Sequence, residues 1–305
     1  MTDFRAALIG LGAMGMGMAH SALKAGIDTA GCDIKETARD AFADAGGRAA
    51  QTPAEAAHGA DAVAIVVINA KQTEAVLFGP NGDNRGGVME TLAPGAVVLG
   101  CATMPPDFVR GLAARVIDAG ALYLDAPISG GPIRSAAGEL SVMASGTKDA
   151  FDRARPLLDA VALTVYELGD EPGSGSTMKM VNQLLAGVHI ATAMEALALG
   201  IKAGLDAETV FRVITGSAGN SWMFQNRVPH VLENDYSPKS AVEIFIKDLG
   251  IVLEEGKRLG MPLPISETAL DRYQAAVDMG FGRSDDASLI KVYRAACGFD
   301  LPGEE

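Results

Sequence analysis

Residues 4–15 read FRAALIGLGAMG, a short apolar run that breaks into the glycine cluster Gly10-Leu11-Gly12-Ala13-Met14-Gly15. An apolar run ending on glycine and opening into an Ala/Met-rich segment reads as strand, tight turn and helix. In that setting the first glycine permits the turn, the second lets the backbone approach a pyrophosphate, and the third lets the helix pack on a sheet. The first N–H groups of the helix lack intrahelical partners and face the phosphates. A glycine-rich turn is the plainer alternative in a chain with 36 Gly in 305 residues. Asp33 argues against it, because it closes the second apolar run 18 positions after Gly15. An acid at about this offset hydrogen-bonds the adenosine ribose and repels a 2′-phosphate, which favours NAD over NADP. The neighbouring Lys35 opposes that preference. The expected cofactor-binding residues are thus Gly10, Leu11, Gly12, Ala13, Met14, Gly15 and Asp33.

Strand-like runs fall at 4–9, 27–33, 62–68, 96–100 and 121–125, with helical spacing between them at 13–25, 36–45 and 108–119. This alternation calls for a parallel sheet covered by helices on both faces. After Phe151 one last strand-like run, 161–168, precedes helical periodicity up to Ala296. The fold class expected is α/β: a Rossmann-type, doubly wound, mostly parallel sheet in residues 1–170, then an all-α C-terminal domain in 171–305, joined by a long interdomain helix. The join, GDEPGSGS at 169–176, offers Ser174 or Ser176 as a helix cap. No proline follows until beyond Ala203, so one helix of roughly 45 Å is expected. Further helices are expected after Asp206, near Met223, over 240–259, after Pro264 and after Asp285.

The composition narrows the function classes. Lys plus Arg number 25 against 38 Asp plus Glu, a formal charge of −13, which disfavours nucleic-acid binding through a basic surface. With 49% hydrophobic and 21% charged residues, the chain can bury a large core. Cys32, Cys101 and Cys297 form no CxxC pair and are odd in number, which reads as reduced thiols in a cytoplasmic protein. The amino terminus is unlike a secretory signal. The apolar stretch 184–201 contains His189, Thr192 and Glu195, and reads as a buried helix rather than a membrane span.

Three further segments can carry chemistry. Asp125-Ala126-Pro127-Ile128-Ser129-Gly130-Gly131 follows a strand, and Ser129 with the two glycine N–H groups forms either a nest for a carboxylate or a plain turn. Lys179, Asn182 and Gln183 can share one helix face. Lys179 reads either as a snorkelling lysine or as a general acid/base whose pKa is depressed by desolvation and a nearby cationic nicotinamide. Lys247-Asp248, inside an apolar helix, reads as a surface ion pair of little worth. His20, His58, His189 and His230 show no metal-ligand spacing, so no metal is expected, and His189 reads as a core residue. Cys101 reads as packing, and Trp222 as core or substrate wall.

Taken in order, GLGAMG, DAPISGG, GSGSTMKMVNQLL and FIKDL resemble the β-hydroxyacid dehydrogenase family, which includes 3-hydroxyisobutyrate dehydrogenase and tartronate semialdehyde reductase. The likeness spans essentially the whole chain. Within the family, NQLLAGVHIA, GNSWMFQNRVPHV and SAVEIFIKDLGIV are most similar to a branch that oxidises a small sugar acid. The resemblance implies NAD as cofactor and oxidation of a hydroxyl on a small hydroxy acid. It makes Lys179 the acid/base, and Ser129, Gly130, Gly131 and Asn182 the substrate-binding residues. It places Thr103 and Lys247 beside the cofactor, and Ala102 replaces the serine usual before that threonine. It also implies a homodimer or homotetramer, with no nucleic-acid or membrane partner. The alternatives are a relative acting on 3-hydroxyisobutyrate or tartronate semialdehyde, and a non-catalytic NAD-binding module.

Overall fold

The computed structural model describes residues 4–303, and the chain divides into two compact units, Met1–Lys179 and Met180–Glu305. The first unit opens with β1 (Arg5–Ile9), α1 (Ala13–Lys24), β2 (Asp28–Cys32), α2 (Glu36–Asp44), β3 (Arg48–Ala50), α3 (Pro53–Ala57), β4 (Ala62–Ile65) and α4 (Ala70–Phe78). It continues with β5 (Val97–Gly100), α5 (Pro106–Asp118), β6 (Leu122–Asp125), β7 (Ile128–Ser129), α6 (Gly131–Ala137), β8 (Leu140–Ala144), α7 (Lys148–Val161) and β9 (Ala162–Glu167). Six parallel strands are ordered β3-β2-β1-β4-β5-β6, the doubly wound order in which ligands meet the carboxyl ends of the strands where the winding reverses. That reversal lies between β1 and β4, whose registers run Ala6 to Ala62 through Ile9 to Ile65.

Burial on both faces explains why β1, β4 and β5 read as unbroken apolar runs. Leu8, Ala64 and Leu99 pack into one core with α1 and α7, while Ile9, Ile65 and Val98 pack into a second with α3 and α5. Strands β7, β8 and β9 form a separate small sheet, β7 antiparallel and β9 parallel to β8. An isolated bridge between Asp125 and Ser145 links it to the end of β6. Neither β3 nor the β7-β8 pair is among the strand-like runs of the sequence.

The unit division falls inside α8 (Ser174–Lys202), a helix of 29 residues. Its hydropathy would suit a membrane span, yet Ile190, Met194 and Leu197 lie fully inside the core of the second unit. That unit continues with α9 (Ala207–Thr215), α10 (Trp222–Leu232), α11 (Val242–Arg258), α12 (Pro264–Asp278) and α13 (Ile290–Cys297). Asp206 and Ser221 cap α9 and α10 by accepting from Thr209 N at 2.8 Å and Phe224 N at 3.0 Å. Phe245 of α11 stacks on Tyr273 of α12, and the buried Tyr273 hydroxyl donates to Gly187 O of α8 at 3.0 Å. Trp222 is about half exposed and is not a core residue.

The helical unit also buries charge. Arg227 Nε donates to Asp286 Oδ1 at 2.5 Å, and His230 Nδ1 lies 2.8 Å from Asp285 Oδ1. Asp285 also accepts from the backbone N–H groups of Lys239 and Ala287. Burial works to raise its pKa, but the His230 contact and these hydrogen bonds outweigh it and hold the carboxyl below its ordinary value. Asp286 is the opposite case: burial outweighs the attraction of Arg227 and pushes its carboxyl up from 3.8 to about 6. Between these values the folded chain retains a proton that the unfolded chain releases. Stability from this group is complete below pH about 4 and is lost as pH rises through about 6, with a slope of at most about 1.4 kcal/mol per pH unit. Chemical denaturation of wild type and Asp286→Asn at several pH values from about 4 to about 7 should show that slope only in wild type; parallel curves would refute it.

Candidate active site

The glycine turn is built by close approach. Gly10 has φ of +96°, and a Cβ there would sit 2.3 Å from Val66 O; a Cβ on Gly15 would sit 1.8 Å from Gly10 O. Only glycine fits at either place. Gly10 N donates to Cys32 O at 2.8 Å, which ties the turn to the end of β2. Gly12 precedes α1 with no side-chain cap, and nothing lies within 4 Å of where its Cβ would be. The turn thus offers uncapped N–H groups over open space, which fits a dinucleotide pyrophosphate.

Asp33 is joined to that turn directly. Its Oδ2 accepts from Leu11 N at 2.7 Å and its Oδ1 from Lys35 N at 2.8 Å. A carboxylate has about four acceptor positions, so about two remain for ribose hydroxyls. Arg39 Nη1 donates to the Asp33 carbonyl at 2.7 Å. Lys35 is evident from the sequence as a charge beside the acid, whereas Arg39 is not, since a single arginine on a helix carries no motif.

Thr103 lies between β5 and α5, past the carboxyl end of β5 and on the same sheet edge as Gly10 and Asp33. The Cys101 thiol nearby is pushed up to about 12 by burial, with a further push from Asp125, and is no nucleophile at neutral pH. Ser129 ends β7, and Gly130 and Gly131 lead into α6. Gly130 has φ of +134°, a conformation L side chains rarely adopt, and nothing lies within 4 Å of where a Cβ on Gly131 would be.

The start of α8 hangs on Asp125. Its Oδ2 accepts from Gly173 N at 2.9 Å and Ser176 N at 2.8 Å, and its Oδ1 accepts from Ser176 Oγ at 2.7 Å. Ser145 Oγ accepts from Gly175 N at 3.0 Å. Ser176 is therefore a donor to Asp125, not the cap its position suggested. Asp125 is fully buried, and burial pushes its pKa up against the pull of these hydrogen bonds. Lys179, three residues after Ser176, is 7% exposed, so most of its side chain is buried.

In the second unit, Asn182 Nδ2 donates to Gln183 Oε1 at 2.9 Å, and Gln183 Nε2 donates to Asp248 Oδ2 at 2.5 Å. Lys247 Nζ donates to Asp248 Oδ1 at 2.5 Å. The surface pair expected at 247–248 is in fact built on a carboxylate only 2% exposed, because Asp248 turns inward from α11 toward α8. Gln183 and Asp248 are 65 residues apart in sequence, and no spacing rule pairs them.

Comparison with known proteins settles the family. Residues 5–169 match the family model of the NAD binding domain of 6-phosphogluconate dehydrogenase. Residues 173–293 match the model described as NAD-binding of NADP-dependent 3-hydroxyisobutyrate dehydrogenase. The chain belongs to the β-hydroxyacid dehydrogenase family. It is 48% identical over 297 residues to L-threonate dehydrogenase of Cupriavidus necator, covering 97% of each chain. It is 34% identical to NAD-dependent L-serine dehydrogenase of Pseudomonas aeruginosa, covering 94% of this chain and 97% of that one. A crystal structure of 3-hydroxyisobutyrate dehydrogenase from Salmonella typhimurium superposes with a TM-score of 0.89 at 45% identity, covering 95% of this chain and 99% of that one. As a member of this family, the chain is an NAD-dependent dehydrogenase that acts on a hydroxyl group of a small hydroxy acid.

The Asp125 clasp makes a direct prediction. In Asp125→Ala the N–H groups of Gly173 and Ser176 and the Ser176 hydroxyl lose their acceptor inside the protein, at roughly 1–3 kcal/mol for each group left unpaired. The variant should unfold at a clearly lower denaturant concentration than wild type. An unchanged midpoint would show that the clasp does not hold α8.

Proposed function

We propose that the substrate is L-threonate, oxidised at C2 to 2-dehydro-L-erythronate, with Lys179 as general acid/base. The observation that carries this reading is the near-full-length 48% identity to an L-threonate dehydrogenase, joined to a buried lysine three residues beyond the Asp125 clasp. The clasp limits the motion of the helix turn from which Lys179 projects, which suits a group that must meet one hydroxyl in one geometry.

In this mechanism Ser129 and the N–H groups of Gly130 and Gly131 hold the substrate carboxylate, and Asn182 holds a hydroxyl. Lys179 Nζ takes the C2 hydroxyl proton while the electron pair of the C2–H bond leaves as hydride. In the reverse direction the same ammonium returns the proton and stabilises charge on the oxygen. NAD, when bound, supplies the hydride acceptor. Gly10 to Gly15 hold its pyrophosphate, Asp33 its ribose, and Thr103 and Lys247 are the residues the family resemblance assigns to its nicotinamide side. The carboxylate of Asp33 makes NAD the preferred form over NADP.

The site is proposed to work in a cytoplasmic homo-oligomer. Met178, Val181, Leu185 and Leu199 of α8 are exposed apolar side chains, 44%, 46%, 49% and 71% respectively. Their spacings of three, four and fourteen residues put them on one helical stripe, the kind of surface a second subunit covers. Light scattering should report a dimer or tetramer, and charged substitutions at Leu185 and Leu199 should shift it toward monomer; a monomeric wild type would refute this.

Assays with L-threonate, D-threonate, D-erythronate, 3-hydroxyisobutyrate and glycerate should show NADH formation fastest with L-threonate. Lys179→Ala should lower kcat by about 10²–10⁴, the usual worth of general acid/base catalysis, with NAD affinity within a few-fold of wild type. Unchanged kcat would remove Lys179 from the mechanism. Activity confined to 3-hydroxyisobutyrate would replace the substrate but keep the chemistry.

A further inference from the structure

Asn182, Gln183, Asp248 and Lys247 form one chain of hydrogen bonds, of which the middle members, Gln183 and Asp248, are 8% and 2% exposed. Its direction is determined by chemistry at one end. A carboxylate only accepts, so the Gln183 amide must turn its NH2 toward Asp248 and its Oε1 away. Oε1 is then an acceptor, so Asn182 must turn its own NH2 toward Gln183. The Asn182 carbonyl Oδ1, on the other branch of the same amide, points away from Gln183. An amide group is ambiguous by itself because it can be flipped end for end. Here the Asp248 carboxylate, held on its other oxygen by the Lys247 ammonium, removes the ambiguity through two amides in series.

We propose that Asp248 and Gln183 are positioning residues that fix the Asn182 amide so that it presents an acceptor to the substrate. The group selected is therefore a hydrogen-bond donor, a hydroxyl beside the reacting carbon, and the substrate class is a polyhydroxy acid rather than a monohydroxy one. The proposal rests on the assignment of Asn182 to the substrate side. Asp248 and Gln183 touch neither substrate nor cofactor in it, and act only through the residues they hold.

The arrangement can be tested by exchanging the charge between the two positions. Asp248→Asn loses the acceptor-only end, and Gln183→Glu sets two carboxylates against each other. Gln183→Leu cuts Asn182 away while sparing the Lys247–Asp248 pair. In the double variant Gln183→Glu/Asp248→Asn, the carboxylate introduced at position 183 accepts from Asn182 on one oxygen and from the amide introduced at position 248 on the other, so Asn182 keeps its orientation. Each single variant should raise KM for L-threonate about tenfold, the scale of one lost hydrogen bond. KM for 2-hydroxybutyrate, which has no second hydroxyl, should stay within about threefold of its wild-type value, so that the preference for L-threonate shrinks. The double variant should recover the wild-type KM to within about threefold. Thermal unfolding and NADH binding followed by fluorescence verify that each variant is folded and holds cofactor.

Failure of the double variant to improve on Gln183→Glu, or equal KM changes for both acids, would overturn the relay. Wild-type enzyme inactive on every hydroxy acid would instead overturn the functional assignment, and the two results are read from different proteins.

Discussion

The first unit and the start of α8 depend on one buried carboxylate. Asp125 ends β6, the last strand of the parallel sheet, and accepts three hydrogen bonds from Gly173 and Ser176 at the beginning of α8. A carboxylate without partners would be costly in that place, since burial alone drives its pKa up. A helix start without partners would be costly too, because its first N–H groups have no intrahelical acceptor. Each group satisfies the other. The clasp is therefore both an electrostatic necessity and a geometric constraint, and it puts Lys179 one turn beyond an anchored residue on a helix otherwise held by apolar packing.

Asp248 repeats this logic in the helical unit. It too is buried, and its donors are Gln183 and Lys247, which the sequence places among the residues that can carry chemistry. Buried ion pairs contribute little net stability, because desolvation cancels most of the attraction. The persistence of the Lys247–Asp248 pair is better explained by orientation. An apolar residue in place of Asp248 would pack as well, but it would leave the Gln183 amide free to flip. The Arg227–Asp286 and His230–Asp285 pairs, by contrast, join α10 to the segment before α13 and touch no residue assigned to the reaction.

Periodicity reveals much of the fold. The long helix is legible because no proline or turn signal interrupts 174–202, and the doubly wound sheet because strands buried on both faces read as apolar runs. Arg48–Ala50 escapes because three residues, one of them a charged residue at the sheet edge, carry too little pattern. Leu140–Ala144 escapes for another reason: Ser141 and Met143 interrupt neither a helical nor a strand reading, and its partners β7 and β9 lie on either side of it in sequence at unequal distances.

The same distinction separates the two sides of the reaction. The cofactor site proposed here is written in local sequence: Gly10 to Asp33 span 24 consecutive residues, and the turn, the helix start and the acid are joined by bonds such as Leu11 N to Asp33. A fixed spacing can encode such a site, so the motif is readable. The supports of the residues proposed to meet the substrate are written across the chain, in contacts 51 residues apart at Asp125 and Ser176 and 65 apart at Gln183 and Asp248. No spacing encodes these, and the residues are common types whose meaning comes only from what they touch. In the relay proposed for Asn182, reversing the polarity of that one amide would change which substrate group is accepted and leave the glycine turn untouched.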